Sequence, residues 1–213
     1  MKQMAFLVKA FLTLFVVIDP VGLTPIFITL AGKYSAAQQV RIARQAVLVA
    51  GVILLVFALV GNWLLRYLGI TIEAFQVAAG LLLLKIALDM VFAHRERETE
   101  EEEQEAQLRE DISVFPLAIP LLAGPGTLAS VLILTNDRSV QNHSFGVVVI
   151  LAIAAFVLFI AYTLFCLSKQ LAKMLGQTGV NVVTRVLGIL LAALAVQYIT
   201  DGATAAIKMA MVR

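Results

Sequence analysis

The chain has 213 residues, of which 61% are hydrophobic and 14% are charged. Soluble domains are about 45–50% apolar and about 25% charged, and a soluble protein of this composition would expose large apolar patches to water. The formal net charge of +2 is too small to indicate nucleic acid as a partner, so the composition predicts a protein whose solvent is the lipid bilayer.

Six apolar windows of the chain are long enough to cross a bilayer, which takes about 20 mostly apolar residues. They cover residues 4–30, 46–68, 70–93, 112–135, 145–167 and 182–209. The first window continues past Phe27 without the small-residue cleavage pattern of a signal peptide, so we expect it to remain as a membrane helix. The predicted fold is an all-α integral membrane protein with six transmembrane helices.

The first window is interrupted near its middle by residues 19–25, with the sequence DPVGLTP. Proline removes a backbone donor and glycine adds backbone freedom, so we expect this helix to be discontinuous at mid-membrane. Backbone groups freed there cannot face lipid, because each unsatisfied group costs several kcal/mol. They must be buried against protein or line a wet cavity, which makes the break a candidate binding site.

Asp19 places an ionisable side chain near the centre of this first helix, where a charge is costly and indicates function. It can attract a substrate ammonium or carry a coupling proton. It can also simply cap the helix segment that follows Pro20, since Asp before Pro is a common helix start. All three roles stay open at the level of the sequence.

The third and sixth windows carry a few polar side chains. Lys85 and Asp89 stand four residues apart on one helix face and are predicted to form an intrahelical pair. Gln76 lies near the outer end of the third helix, and Gln197 lies in the sixth helix at the position that aligns with Asp89. These two glutamines are secondary candidates for the binding cavity.

Residues 94–111 form a long charged connection that includes four consecutive glutamates at 100–103. Orientation in the membrane follows the placement of Lys and Arg. The first, third and fifth loops hold eight such residues: Lys33, Arg41, Arg44, Arg95, Arg97, Arg109, Lys169 and Lys173. The opposite side holds five: Lys2, Arg66, Arg138, Lys208 and Arg213. This bias predicts a cytoplasmic 94–111 loop and extracytoplasmic termini, in a multi-pass protein of the inner (plasma) membrane.

The fourth window carries a second break at residues 123–127, AGPGT, preceded by Pro116 and Pro120. Helices three and six also align, residues 75–91 on 183–199, with Gly80 on Gly188. A unit of three helices crosses the bilayer an odd number of times, so a second copy must enter from the opposite face. We therefore predict two inverted three-helix repeats, residues 1–93 and 112–213, joined by the 94–111 loop.

A helix that restarts after a break presents free amides and the positive end of its dipole, which attract an anion such as a carboxylate. The predicted binding residues are Asp19, Pro20, Gly22, Leu23, Thr24, Gly124, Pro125, Gly126 and Thr127. Together they would form one small polar site between the two halves. The alternative is that both breaks are packing kinks that bind no ligand.

The two broken segments carry the resemblance of this chain to a known family. Residues 19–27, DPVGLTPIF, resemble the first-helix motif of the MarC family (UPF0056), and residues 116–126, PLAIPLLAGPG, resemble its fourth-helix motif. The resemblance covers nearly the whole chain. It implies transport of glycine, alanine or similar small neutral amino acids, as in the SnatA-type (NAAT family) relatives, coupled to the proton gradient. It places the functional positions at Asp19, Gly22, Gly124 and Gly126.

The reactive side chains of the sequence do not form a recognisable catalytic or metal-binding set. A lone cysteine, Cys166, and two distant histidines, His94 and His143, give no metal-ligand spacing. We find no Ser/His or Ser/Lys dyad, no paired carboxylates at mid-membrane and no HExxH, and so expect neither an enzyme nor a bound cofactor. Two alternatives to uptake stay open: export of amino acids or other metabolites by the same fold, and a non-transporting sensor or scaffold that docks a partner through residues 94–111.

Overall fold

The computed structural model describes residues 2–92, 111–137 and 143–212, and every regular element in these ranges is helical. The helical segments are α1 (Lys2–Ile18), α2 (Leu23–Ala31), α3 (Ala36–Tyr67), α4 (Ile72–Phe92), α5 (Ser113–Leu122), α6 (Pro125–Thr135), α7 (His143–Cys166) and α8 (Ser168–Val212). The predicted all-α class is confirmed for these residues. The predicted 94–111 loop lies outside them, apart from Asp111.

Four of these helices are long and apolar enough to cross a membrane. They are Ala36–Tyr67, Ile72–Phe92, Gly146–Cys166 and Thr178–Met211. Two bent pairs pass the same test when each is taken as one span: α1 with α2, bent by 40°, and α5 with α6, bent by 51°. The described residues therefore contain four spans, or six with the bent pairs, as expected of an integral multi-pass membrane protein.

Two helix boundaries differ from the predicted windows because polar turns extend apolar helices. Helix α3 begins at Ala36, well before the window that starts at residue 46, because Ser35 and Gln38 form a reciprocal cap. The Ser35 amide donates to Gln38 Oε1 at 2.9 Å, and the Gln38 amide donates to the Ser35 hydroxyl at 3.4 Å. Helix α8 begins at Ser168 and is interrupted at Gly176, whose φ of +62° suits glycine.

Helix α5 is a wide, π-type segment whose start and irregularity both have local causes. Asp111 accepts hydrogen bonds from the Ser113 amide at 2.9 Å, from the Ser113 hydroxyl, and from the Gln45 side chain at 2.9 Å. These bonds, led by that of the Ser113 hydroxyl, hold the pKa of Asp111 below its usual range. Phe115 and Ile119 have extended backbone angles, because a residue that precedes proline avoids the α conformation.

Helices α4 and α8 pack together at two glycines, one on each helix, and each glycine lies against a backbone carbonyl oxygen of the other helix. A Cβ on Gly80 would lie 2.8 Å from the carbonyl oxygen of Ala195, and a Cβ on Gly188 would lie 3.2 Å from that of Ala87. The sequence alignment pairs Gly80 with Gly188 and Ala87 with Ala195. Glycine at both positions lets the two backbones approach closely.

The broken segments lie among the long helices. One apolar cluster joins α1, α2 and α5 to α3 and α7, and a second joins the end of α1 to α4 and α8. Helix α6 packs against α1, α3, α4 and α7, and most of its residues are buried. Many large exposed side chains of α3 and α8, such as Leu59 and Ile189, are apolar and suit contact with lipid.

Candidate functional site

The first break consists of residues 19–22, between α1 and α2, and is organised by Asp19. This residue is 1% exposed and has a φ of +48°, which turns the chain after Ile18. Its carboxylate accepts the Gly22 amide at 3.0 Å, and its carbonyl oxygen accepts the Leu23 amide at 3.0 Å. Asp19 therefore caps the turn that leads into α2, which corresponds to one of the three roles that the sequence left open, whereas Gly22 at the N-cap position of α2 has no side-chain cap.

Gly22 and Thr24 complete this turn. A Cβ on Gly22 would overlap the Asp19 carboxylate, so only glycine fits while that carboxylate caps the helix. The Thr24 hydroxyl donates to the Pro20 carbonyl oxygen at 3.0 Å, and the Thr24 amide donates to that of Val21 at 3.1 Å. The amides after the first break are thus hydrogen-bonded within the chain, and their predicted contact with a ligand carboxylate stays a prediction.

The second break, residues 123–124, leaves the start of α6 without a side-chain cap. Gly124 is extended, with ψ 172°, and a Cβ on it would overlap the Pro120 carbonyl oxygen. Pro125 has no amide hydrogen, and the first helical bond runs from the Leu128 amide to the Gly124 carbonyl oxygen at 3.0 Å. The amides of Gly126 and Thr127 therefore lack a partner within their own helix.

The start of α6 meets both α4 and the last turn of α1. A Cβ on Gly126 would lie 2.9 Å from Leu83 Cδ2, 3.1 Å from Ile86 Cδ1 and 3.5 Å from Val17 Cγ1. Thr127 beside it is 2% exposed. Since Val17 stands two residues before Asp19, the start of α6 lies near the first break, and a site shared by the two breaks stays a prediction.

A cavity of about 1080 Å³ lies at the other end of α6, between α4 and α8. Its lining includes the two secondary candidates, Gln76 and Gln197, but none of the residues of the breaks. Gln197 donates to Asp201 Oδ1 at 2.7 Å, and Lys9 pairs with Asp137 at 3.2 Å. The pair of Lys9 and Asp137 could not be predicted from the sequence, because its partners are 128 residues apart.

Two further polar side chains of the spans are partners of one another. Lys85 and Asp89 form the predicted intrahelical ion pair, with Lys85 Nζ 2.9 Å from Asp89 Oδ2. Within the described ranges, no group of three or more His, Cys, Asp or Glu side chains could hold a metal ion. The described residues of the candidate site thus offer amides, hydroxyls and one buried carboxylate, which are groups that bind small polar molecules.

Comparison with known proteins identifies the family to which the chain belongs. The profile of the MarC family of integral membrane proteins matches residues 4–207. A UPF0056 membrane protein of Aquifex aeolicus is 40% identical over 197 residues, 92% of this chain and 91% of that protein. MJ1677 of Methanocaldococcus jannaschii, also a UPF0056 membrane protein, is 35% identical, with 94% of this chain and 97% of that protein covered. YhcE of Escherichia coli, of the same designation, is 36% identical over 91% of this chain and 90% of its own length. No solved structure matches the chain. The chain therefore belongs to the MarC family of integral membrane proteins.

Proposed function

We propose that this protein is a secondary active transporter of small neutral amino acids such as glycine and alanine, coupled to protons and working by alternating access. The observation that carries the proposal is the pair of bent helices, α1–α2 and α5–α6, at equivalent places in the two halves of the chain. Paired broken helices that meet between inverted repeats are the usual binding site of secondary transporters.

The packing of the long helices supports the inverted repeat. Helix α3 packs on α7 and α4 packs on α8, whereas α1 packs on α7 as α5 packs on α3, and α2 packs on α7 and α8 as α6 packs on α3 and α4. Exchanging the halves leaves this set of contacts unchanged. At closer range, the Gly80 position meets Ile199 as well as Ala195, and the Gly188 position meets Val91 as well as Ala87, which are the aligned residues. Both three-helix units, 1–93 and 112–213, fit this arrangement, with the first and fourth helices discontinuous at mid-membrane.

The chemistry of the two breaks suits a zwitterion. The amides of Gly126 and Thr127 and the positive end of the α6 dipole attract a carboxylate. The buried carboxylate of Asp19 attracts an ammonium group or takes up a proton. Protonation of Asp19 would weaken its hold on the Gly22 amide, which couples proton binding to the conformation of the first break.

The crowding around Gly126 favours a solute with a small side chain. Leu83, Ile86 and Val17 approach the place where a Cβ would stand on this glycine, so little room remains beside the first amides of α6. A glycine or alanine substrate adds at most one methyl group there. Larger amino acids would have to displace three apolar side chains.

The orientation completes the proposal. The bias of Lys and Arg towards the first, third and fifth loops supports an orientation in which the cavity between α4 and α8 lies on the extracytoplasmic side of the inner membrane, together with both termini. Several of the basic residues behind this assignment, including Arg95, Arg97 and Arg109, lie outside the described part of the chain.

The test is uptake of labelled glycine and alanine by proteoliposomes, with and without an imposed proton gradient. We expect wild-type protein to accumulate both amino acids when the gradient is present, and Gly126→Leu to be inactive because leucine would fill the start of α6. Folded, correctly inserted wild-type protein that takes up neither amino acid would reject the proposal. A non-transporting sensor or scaffold would be favoured if deletion of residues 94–111 abolished the cellular function while Gly126→Leu left it intact. Counterflow from loaded vesicles separates export from import.

A further inference from the structure

Three buried hydroxyl groups lie between the cavity and the second break. Thr13 on α1, Ser130 on α6 and Tyr198 on α8 are 4%, 0% and 2% exposed, and the Ser130 and Thr13 hydroxyls lie near that of Tyr198 without forming a hydrogen bond to it. Thr13 precedes Val17 by four residues and Ser130 follows Gly126 by four, so this hydroxyl layer stands one helical turn, about 5–6 Å, from the Val17–Gly126 contact.

Two of the three hydroxyls have unused hydrogen-bonding capacity. Neither Ser130 Oγ nor Tyr198 Oη has a hydrogen-bond partner within the described part of the chain. Burial of a hydroxyl without a partner is costly, and most buried polar atoms in native proteins are satisfied by protein or by a bound molecule. Two such atoms, close together on different helices, are available to a polar molecule that reaches them from the cavity.

The fold itself does not require hydroxyls in this layer. The alignment that pairs Asp19 with Ala123 and Gly80 with Gly188 pairs the three hydroxyl residues with apolar ones: Leu117, Ile26 and Met90. These counterparts are buried at 1%, 9% and 2% exposure, so the equivalent layer of the other half is packed with hydrocarbon. Packing alone therefore does not account for the hydroxyls.

The hydroxyl layer is connected to the cavity through Tyr198, which belongs to the cavity lining. The same lining contains Asp137 and Asp201, whose charges act on Tyr198, and Lys9 at the ion pair with Asp137. On the far side of the layer, Val17 separates it from the start of α6. A polar molecule in the cavity would meet the hydroxyls before it reached the break.

We propose that Thr13, Ser130 and Tyr198 form an outer subsite for the transported zwitterion, in which the hydroxyls donate to its carboxylate and its ammonium group faces the cavity carboxylates. The identity of the solute rests on the proposed function. The subsite binds the solute one helical turn before the second break. When the apolar side chains around Gly126 move apart, the solute can reach the amides at the start of α6.

The first test compares Tyr198→Phe and Ser130→Ala with wild-type protein. Each variant removes a donor to a charged group, so we expect KM for glycine uptake to rise about tenfold or more. The melting temperature should stay equal or rise, because an unpartnered buried hydroxyl has been removed. Tyr162→Phe, which changes a half-buried tyrosine outside the layer, should leave both quantities unchanged. An unchanged KM in both variants, or a melting temperature that falls with KM unchanged, overturns the subsite.

A second test measures access to the layer without depending on transport. In a Cys166→Ala background, Ser130→Cys should react with a small hydrophilic thiol reagent at least about tenfold faster than Ala129→Cys, a matched buried position on the same helix. Saturating glycine should slow the reaction. Equal reaction of the two cysteines overturns the subsite alone, whereas wild-type protein that takes up neither glycine nor alanine overturns the proposed function.

Discussion

Replacement of Asp19 by asparagine and by alanine separates helix capping from proton coupling. The Asp19 carboxylate accepts the Gly22 amide at 3.0 Å, and the residue has a φ of +48°. Asparagine caps helices about as well as aspartate and tolerates a left-handed backbone, so Asp19→Asn should leave the free energy of unfolding nearly unchanged. Alanine does neither, so Asp19→Ala should lose about 0.5–2 kcal/mol, towards the upper end of that range.

Transport by the same variants reports on coupling. An amide does not titrate, so Asp19→Asn should still exchange labelled glycine between the two sides of loaded vesicles. It should no longer accumulate glycine against a gradient when an inward proton gradient is imposed. Unfolding is followed by temperature or denaturant in detergent, and exchange and accumulation are measured in the same proteoliposome preparation.

Thr29→Val is the matched control for this experiment. It removes the hydrogen bond of 3.2 Å from the Thr29 hydroxyl to the Pro25 carbonyl oxygen, in the helix that follows the turn, without changing a charge. It should cost about 0.5–1.5 kcal/mol of stability and keep proton-driven accumulation. Accumulation by Asp19→Asn at the wild-type level would refute the coupling role and leave Asp19 as a cap, and an unchanged stability of Asp19→Ala would refute the capping.

Three further predictions concern the packing, the second break and the start of α5. Gly80→Ala and Gly188→Ala should each destabilise the protein by about 1–3 kcal/mol in detergent unfolding. Gly80→Ala should lose more stability than Gly188→Ala, since its Cβ would meet a backbone oxygen at 2.8 Å rather than 3.2 Å. Gly51→Ala, whose Cβ would have its nearest atom at 3.7 Å, should leave the stability unchanged. Gly124→Ala should abolish glycine uptake, because its Cβ would overlap a backbone oxygen, while Gly51→Ala transports normally. Folding lowers the pKa of Asp111, so the extra stability of wild type over Asp111→Asn should be fully present at pH values above 3.8, the usual pKa of the group. It should be lost as the pH falls through the lowered pKa of the folded protein, which unfolding measured at several pH values would show.

Features that depend on neighbouring residues could be predicted from the sequence. The apolar windows and the Pro and Gly clusters are local properties, and the helices bend where those clusters lie. The Lys85–Asp89 pair is local as well, because four residues make one turn of a helix. The start of α3 at Ala36 was not predicted, because its first turns are polar and the apolar window begins only at residue 46.

Features that depend on distant residues could not be predicted in this way. Lys9 and Asp137 meet because α1 and α6 pack together, and nothing near either residue signals its partner. Ser130 and Tyr198 are common residues in apolar helices, and only burial without a hydrogen-bond partner distinguishes them. The sequence also left the role of Asp19 open, since its capping became visible only through the hydrogen bond to Gly22.

In the proposed inverted repeat, the two halves differ in their polar residues, and these differences would set the relative free energies of the two end states. Identical inverted halves would make the inward-open and outward-open states equal in free energy. Here Asp19 caps a helix where its counterpart Ala123 has no side chain to do so, and Tyr198 places a hydroxyl where Met90 places hydrocarbon. About 1.4 kcal/mol is enough to change the ratio of two states tenfold, which is within the range of one hydrogen bond. We infer that the polar residues that break the symmetry, and not the packing that creates it, decide which face is open at rest.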